Sequence, residues 1–180
     1  MATVMLIDGN SLTYRAFFAL PTDMATASGQ VTNAVFGFTS MLLSLLRDHG
    51  PEHLVVAFDS KERGLRKDIY PQYKANRPPP PEDLVPQFPL FREVVEAFGI
   101  AQLDAGGWEA DDLLAAGATK GLEAGYDIVI ITADKDLMQL IRPGVRLFDP
   151  MKSQWMGPSQ VMDKFGVAPD RVVDVQSLAG

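Results

Sequence analysis

Asp127-Ile128-Val129-Ile130-Ile131-Thr132-Ala133-Asp134 places four branched aliphatic residues in a row and follows them, three positions on, with an acid. A short apolar run without polar alternation reads as a strand covered on both faces. Two other stretches repeat the pattern: Val4 to Ile7 runs into Asp8-Gly9, and Leu54 to Phe58 runs into Asp59. Ala101 to Leu103 reads as a short strand and Val145 to Phe148 as an edge strand. Helical stretches fall between them: Asn33 to Leu46, Glu82 to Phe98 stopped by Gly99, Glu109 to Ala124 stopped by Gly125, and Asp134 to Ile141. Two short helices start at Pro158 and Pro169. No element is assigned between Gly9 and Asn33. Buried strands alternating with helices define an α/β fold, a three-layer α/β/α domain with a mostly parallel central sheet.

The 180 residues suffice for one domain with its own core. No apolar run reaches the length of a membrane-spanning helix. Met1-Ala2-Thr3-Val4 has no basic n-region, so no signal peptide is expected. There are no cysteines, which excludes disulfides and thiolate metal sites. His49 and His53 flank a Gly-Pro turn and read as surface-loop residues rather than metal ligands. Any metal would therefore be held by oxygen, the chemistry of Mg²⁺ or Mn²⁺.

The acids are not scattered. Asp8, Asp59 and Asp134 each follow a buried strand, and sites in open parallel sheets form beyond the strands' C-terminal ends. Glu109, Asp111 and Asp112 cluster at a helix start, and Asp136 follows Asp134 by two. Each has an ordinary local explanation: acids complement a helix N-terminus, aspartate caps helices, and Asp-Gly makes turns. Gathered on one edge, like charges raise one another's pKa, and a bound dication relieves that cost. Two such ions roughly 4 Å apart would clamp the attacking and leaving oxygens of a phosphodiester. The expectation is that all seven acids converge on one end of the sheet.

The net charge of −7 is unusual for a partner of nucleic acid, but it is unevenly spread. Lys61 to Arg77 holds six basic residues (Lys61, Arg63, Arg66, Lys67, Lys74, Arg77) against Glu62 and Asp68, a local +4 that leaves −11 elsewhere. Tyr70 and Tyr73 interleave with these cations, which suits base stacking and phosphate pairing. The stretch from Ser60 to Pro81 fits no regular period and ends in four prolines, so a functional, mobile connection is expected.

The chain resembles the 5′-nuclease domains of bacterial DNA polymerase I and their relatives, the flap endonucleases. The resemblance rests on Leu6-Ile7-Asp8-Gly9-Asn10-Ser11 with Tyr14-Arg15-Ala16-Phe17, and on Ala57-Phe58-Asp59. It rests further on Tyr70-Pro71-Gln72-Tyr73-Lys74-Ala75-Asn76-Arg77-Pro78-Pro79 and Glu109-Ala110-Asp111-Asp112. Asp134-Lys135-Asp136-Leu137 and Lys164-Phe165-Gly166-Val167 complete the set in family order. It implies a PIN-like fold and a 5′-3′ exonuclease or flap endonuclease that cuts near the 5′ end of branched or nicked DNA in replication and repair. It implies two divalent cations held by Asp8, Asp59, Glu109, Asp111, Asp112, Asp134 and Asp136. Arg15, Arg66, Tyr73, Lys74, Arg77 and Lys135 would bind the nucleic acid, with Lys74 and Arg77 catalytic at the scissile phosphate. Residues 60–90 would form a mobile basic arch over the 5′ single strand. The resemblance also implies a monomer in the bacterial cytoplasm, at the nucleoid, with a polymerase domain possible in the parent chain. Leu65, Trp108 and Ala133 stand where relatives often carry phenylalanine, tyrosine and glycine, which are mild packing changes.

The chain stops at Leu178-Ala179-Gly180, just after a helical stretch. It is expected to be truncated before two further metal-binding aspartates and a helix–three-turn–helix element, and so to be weakly active or inactive alone. A phosphatase of the haloacid dehalogenase type needs a second aspartate two residues after the first, and Asn10 stands there. A receiver domain needs an acidic pair after the first strand, and only Asp8 is present. No GxxxxGK[ST] loop points to ATP. The competing reading from another class is a non-catalytic nucleic-acid-binding PIN-like module, which would need the basic segment but not seven aligned acids.

Overall fold

The computed structural model describes residues 2–60, 62 and 64–179. Lys61 and Arg63, two cations of the basic segment, lie outside them.

Among the described residues, six strands form one sheet. β1 (Thr3–Asp8) lies between β2 (His53–Ala57) and β4 (Asp127–Ile131) and is parallel to both. β3 (Ala101–Leu103) extends the β2 side and β5 (Val145–Asp149) the β4 side, again in parallel. The sixth, β6 (Gln154–Met156), turns back antiparallel on β5, giving the order β3-β2-β1-β4-β5-β6.

The alternation hidden in the apolar runs is visible in the core. Met5, Ile7, Val129 and Ile131 pack into one layer with α1 (Gly9–Ala19), α2 (Asn33–His49) and α4 (Phe88–Ala97). Leu6, Ile128 and Ile130 face the other layer, against α5 (Ala110–Glu123) and the buried Leu137, Met138 and Ile141. Both faces of the central strands are thus covered, and polar alternation has no place in their sequences. The chain leaves β1 on the α1–α2 face toward β2, then returns from β3 through α5 on the opposite face to β4. β1 and β4 therefore flank a topological switch point, where a crevice opens beyond the strand ends.

Several elements differ from the sequence reading. α1 was not expected: its buried positions are Gly9, Leu12, Thr13, Ala16 and Phe17, a helical period whose apolar stripe is broken by a glycine and a threonine. The helix expected from Glu82 begins at Phe88, after a 3-10 turn at Val85–Gln87; Pro86 supplies no amide to extend that turn into a helix, and Pro89 stands in the first turn of α4, where an amide has no helical partner. Asp134 to Ile141 forms a 3-10 turn over Lys135–Leu140 rather than an α-helix. β5 is not the edge. Its residues Val145, Leu147, Phe148 and Asp149 are buried, and β6, not anticipated, covers it.

His49 and His53 end α2 and begin β2 rather than lying in a loop. Their rings pack edge-on: His49 against Phe148 and Trp155, and His53 against Tyr126. Within the basic stretch a short helix, α3 (Leu65–Ile69), interrupts the expected loop, and none of its residues is buried. Leu84 and Gln87 are fully buried, and Gln87 binds Asn33 and the Val35 amide. The later part of residues 60–90 is therefore anchored in the body of the domain. The last two helices are α6 (Pro158–Phe165) and α7 (Val172–Ala179). Among the described residues, no helix is long and apolar enough to cross a membrane.

Candidate metal centre and nucleic-acid interface

The register sets the geometry. Asp8 lies opposite Ala57, and Ile7 opposite Ile131, so the turns after β1, β2 and β4 emerge at one level. Asp8 ends β1 and caps α1, with Oδ1 accepting the Ser11 amide at 3.0 Å. Its Oδ2 accepts the Thr132 hydroxyl at 2.9 Å. The carboxylate is only 2 % exposed. Gly9 is required beside it: a Cβ there would lie 2.6 Å from the Phe58 ring and 2.8 Å from the Ala57 carbonyl oxygen. Asp59 accepts the Ala110 amide at 2.7 Å, tying the end of β2 to the start of α5, while its own amide donates to Asn10 Oδ1 at 3.3 Å.

The first turn of α5 carries the second group. Glu109 is its N-cap residue, and the Glu109 amide donates to Asp112 at 3.2 Å. The Glu109 carboxylate receives Lys74 Nζ at 2.7 Å, the Tyr73 hydroxyl at 3.1 Å and the Arg66 guanidinium at 3.2 Å. Arg66 is bidentate on Asp112, with both contacts at 2.7 Å. Lys74 and Arg66 also lie over the Tyr73 ring, 5.2 and 5.8 Å from its centre. Lys74 holds φ at +56°, a left-handed conformation that disfavours side-chain-bearing residues, so its placement on Glu109 is held by the surrounding contacts.

Beyond β4, Asp134 Oδ1 accepts the Asp136 amide at 2.8 Å, and Asp136 accepts from Gln176 of α7 at 2.8 Å. Arg15 reaches across from α1 to the Ala133 carbonyl at 3.4 Å.

These residues surround a cleft of about 780 Å³. Asp8, Asp59, Glu109, Asp111 and Asp134 line it, and so do Arg15, Lys74, Arg77 and Lys135. Asp112 and Asp136 are not among the lining residues. The first is turned to Arg66 and the second to Gln176. Arg66 and Tyr73 likewise meet α5 acids instead of the cleft wall. Sequence reasoning missed Asn10 and Thr132, the neutral partners of Asp59 and Asp8. Thr132 was visible only as the last residue of an apolar run, two before an acid.

The electrostatics separate the acids. Burial pushes Asp8 up to about 7, against the lowering effect of Ser11 and Thr132, and Asp111 and Asp134 add to the rise. Burial, then the charges of Asp134 and Asp59, push Asp111 up to about 6. Asp112 moves the other way, held down by its hydrogen bonds to Arg66. Burial works against the Lys74 ammonium, but Glu109 outweighs it and the net shift is upward.

Among the described residues no three acids stand close enough to hold an ion as the side chains lie. Glu109 and Asp112 hold cations of the chain itself, and both oxygens of Asp8 hold protein donors. The donor set nonetheless suits a hard dication: all oxygen, with two carboxyl pKa values raised by burial and neighbouring charge, and free of cysteine.

Such a fold and cleft define a class: an α/β domain with an acid-lined, cation-rimmed crevice at the switch point of a parallel sheet, suited to phosphate esters and their counter-ions. The chain belongs to the family described as 5′-3′ exonuclease, N-terminal resolvase-like domain, which matches residues 3–166. It is 42 % identical over 184 residues to DNA polymerase I of Rhizobium leguminosarum, covering 98 % of this chain and 18 % of that protein. It is 40 % identical over 180 residues to the 5′-3′ exonuclease of Aquifex aeolicus (strain VF5), covering 100 % of this chain and 62 % of the relative. The chain thus spans about a fifth of the polymerase relative and under two thirds of the exonuclease.

Among solved structures, the bacteriophage T5 flap endonuclease in a pseudo-enzyme-product complex with DNA and metal ions aligns with a TM-score of 0.73 at 18 % identity, covering 99 % of this chain and 66 % of that one. The T5 5′-exonuclease with divalent zinc ions bound aligns at 0.72 and 19 % identity, over 95 % of this chain and 64 % of that one. The PIN-like 5′-nuclease fold expected from the sequence is the fold of this chain.

Proposed function

We propose that this domain is the catalytic part of a divalent-metal-dependent 5′-3′ exonuclease or flap endonuclease, hydrolysing phosphodiesters near the 5′ end of branched or nicked DNA. The observation that carries the reading is the cleft itself, where five acids from three strand ends and one helix start meet four cations. Family membership and the DNA- and metal-bound T5 structures support it.

Asp8, Asp59, Glu109, Asp111 and Asp134 would hold two Mg²⁺ or Mn²⁺ ions, joined by Asp112 and Asp136 once Arg66 and Gln176 let go of them. Bound there, the ions would supply charge neutralisation and an activated water at the phosphodiester. The rest is positioning. Arg15 and Lys135, both lining the cleft, would fix the backbone of the bound strand. Lys74 and Arg77 would meet charge as it develops on the scissile phosphate, where preorganised cations are most effective. Tyr73, with Arg66, would place the strand beneath the basic segment, which is proposed to be mobile as an arch. In the parent protein the domain is proposed to act as a monomer at the nucleoid, linked to a polymerase in relatives of that kind.

The test is cleavage of a 5′-flap duplex by the wild type and by Asp8→Asn, with Mg²⁺, Mn²⁺ or EDTA. Metal-dependent cleavage lost in Asp8→Asn supports the reading. Tight flap binding with no metal effect and no cleavage in any parent form identifies a non-catalytic nucleic-acid-binding module instead.

A further inference from the structure

Thr132 is fully buried, and its hydroxyl joins two acids that lie 126 positions apart in the chain. Oγ1 donates to Asp8 Oδ2 at 2.9 Å and accepts the Asp134 amide at 2.9 Å. With Asp8 ionised the directions are forced: the amide has only a proton to give, so Thr132 takes it with a lone pair and turns its own proton to Asp8. The residue is rigidly placed. Its amide donates to the Phe148 carbonyl at 3.1 Å, continuing the β4–β5 ladder beyond Ile131. The Asp134 turn then continues outward, with Asp134 Oδ1 taking the Asp136 amide. A buried threonine with a purely packing role would return its hydroxyl to a nearby carbonyl of its own element, as Thr13 does in α1. Thr132 instead sends it across to β1.

We propose that Thr132 is a positioning residue of the metal centre: through one hydroxyl it sets Asp8 of β1 and Asp134 of the β4 turn relative to each other, so that both face the acid-lined cleft in fixed positions. The proposal rests on the metal-dependent reading of the cleft. Partners that orient ligating carboxylates typically change metal affinity by 10- to 100-fold when removed, roughly the loss expected here.

Two substitutions separate positioning from packing. Thr132→Val keeps the shape and both branches but removes the hydroxyl. Thr132→Ser keeps the hydroxyl and removes the methyl. Mn²⁺ binding to the 180-residue chain is measured by titration calorimetry, with circular dichroism and melting to confirm that each variant is folded. The expected result is a loss of about 10- to 100-fold in Mn²⁺ affinity for Thr132→Val and recovery to within a few-fold of wild type for Thr132→Ser. The reverse order, with Ser worse than Val, makes Thr132 a packing residue and overturns the proposal. So does equal binding by all three proteins. A wild type that binds no Mn²⁺ overturns the metal reading together with this one. If Thr132→Val fails to fold, a Thr132→Ser variant that is folded but weakened by tenfold or more also overturns it.

Discussion

Two groups of carboxylates meet in one cleft and are held in opposite ways. Glu109 and Asp112, in the first turn of α5, are paired with Lys74 and Arg66 from the basic segment. Asp8 and Asp111 have no salt bridge among the described residues; neutral donors hold Asp8, and burial with neighbouring charge raises both. The chain neutralises the outer group from within and leaves the inner group crowded. An acid cluster can thus be tolerated by borrowing cations or by holding protons, and the second solution gives way most readily to a metal ion.

The largest expected effect lies in the inner group. The folded carboxyl of Asp8 is raised from 3.8 to about 7, so between those values the folded state keeps a proton that the unfolded chain has released. The Asp8 contribution to metal-free stability is therefore fully present below about pH 4, falls as pH rises between about 4 and 7, and is lost above pH 7. The shift corresponds to about 4 kcal/mol at most. In EDTA the melting temperature should be lower at pH 8 than at pH 5, and Asp8→Asn should flatten that slope while keeping the helix cap. Asp111, raised to about 6, leaves a shallower slope of the same sign, so a slope unchanged by the substitution, or one of opposite sign, would break the contrast between the groups.

The next effect concerns two cations of the cleft, Lys74 paired with the outer group and Arg77 lining the cleft. Lys74→Ala and Arg77→Ala, in a parent enzyme carrying this domain, should slow flap cleavage by about 10²- to 10³-fold, the usual loss for a group stabilising transition-state charge. Flap binding should weaken far less. Equal losses in rate and binding would make both residues general phosphate contacts and leave Lys74 as Glu109's counter-ion alone.

Metal should then erase the difference between the groups. Saturating Mn²⁺, at about 100 times its dissociation constant, should stabilise the wild type by about 2.7 kcal/mol, read as a rise in melting temperature. Asp134→Asn removes a repelling charge and a ligand together. It should melt higher than wild type without metal and gain less from Mn²⁺. A wild type unmoved by Mn²⁺ would contradict the metal centre.

The smallest effect tests the outer pairs. Arg66 is partly exposed, so Arg66→Ala should cost less than about 1 kcal/mol without metal, and that cost should shrink with Mn²⁺ as the ion replaces the guanidinium. A cost that stays constant with metal would mean that Arg66 never leaves Asp112.

Much of this was legible because it depends on short-range pattern. Four branched aliphatics before Thr132 can only be buried on both faces, and three such runs each ending in an acid already place those acids on one edge of a parallel sheet. The cation-rich segment with its tyrosines was equally plain. Where local signals were mixed, the reading failed. The glycine and threonine on the inner side of α1 hid a helix, the prolines after Glu82 delayed one, and β6 was too short to announce itself.

The amino-acid sequence by itself determined the α/β class, the parallel strands, the strand-end positions of Asp8, Asp59 and Asp134, and the clustering of Glu109, Asp111 and Asp112. Periodicity and turn chemistry act over a few residues, and those features need no more. Only the tertiary structure decided which acids face the cleft, that Asp112 turns to Arg66 and Asp136 to Gln176, and that Thr132 joins Asp8 to Asp134. Those pairings span 40 to 124 positions. They exist because the sheet register brings separate strand ends to one level, a constraint that no local stretch of the chain contains.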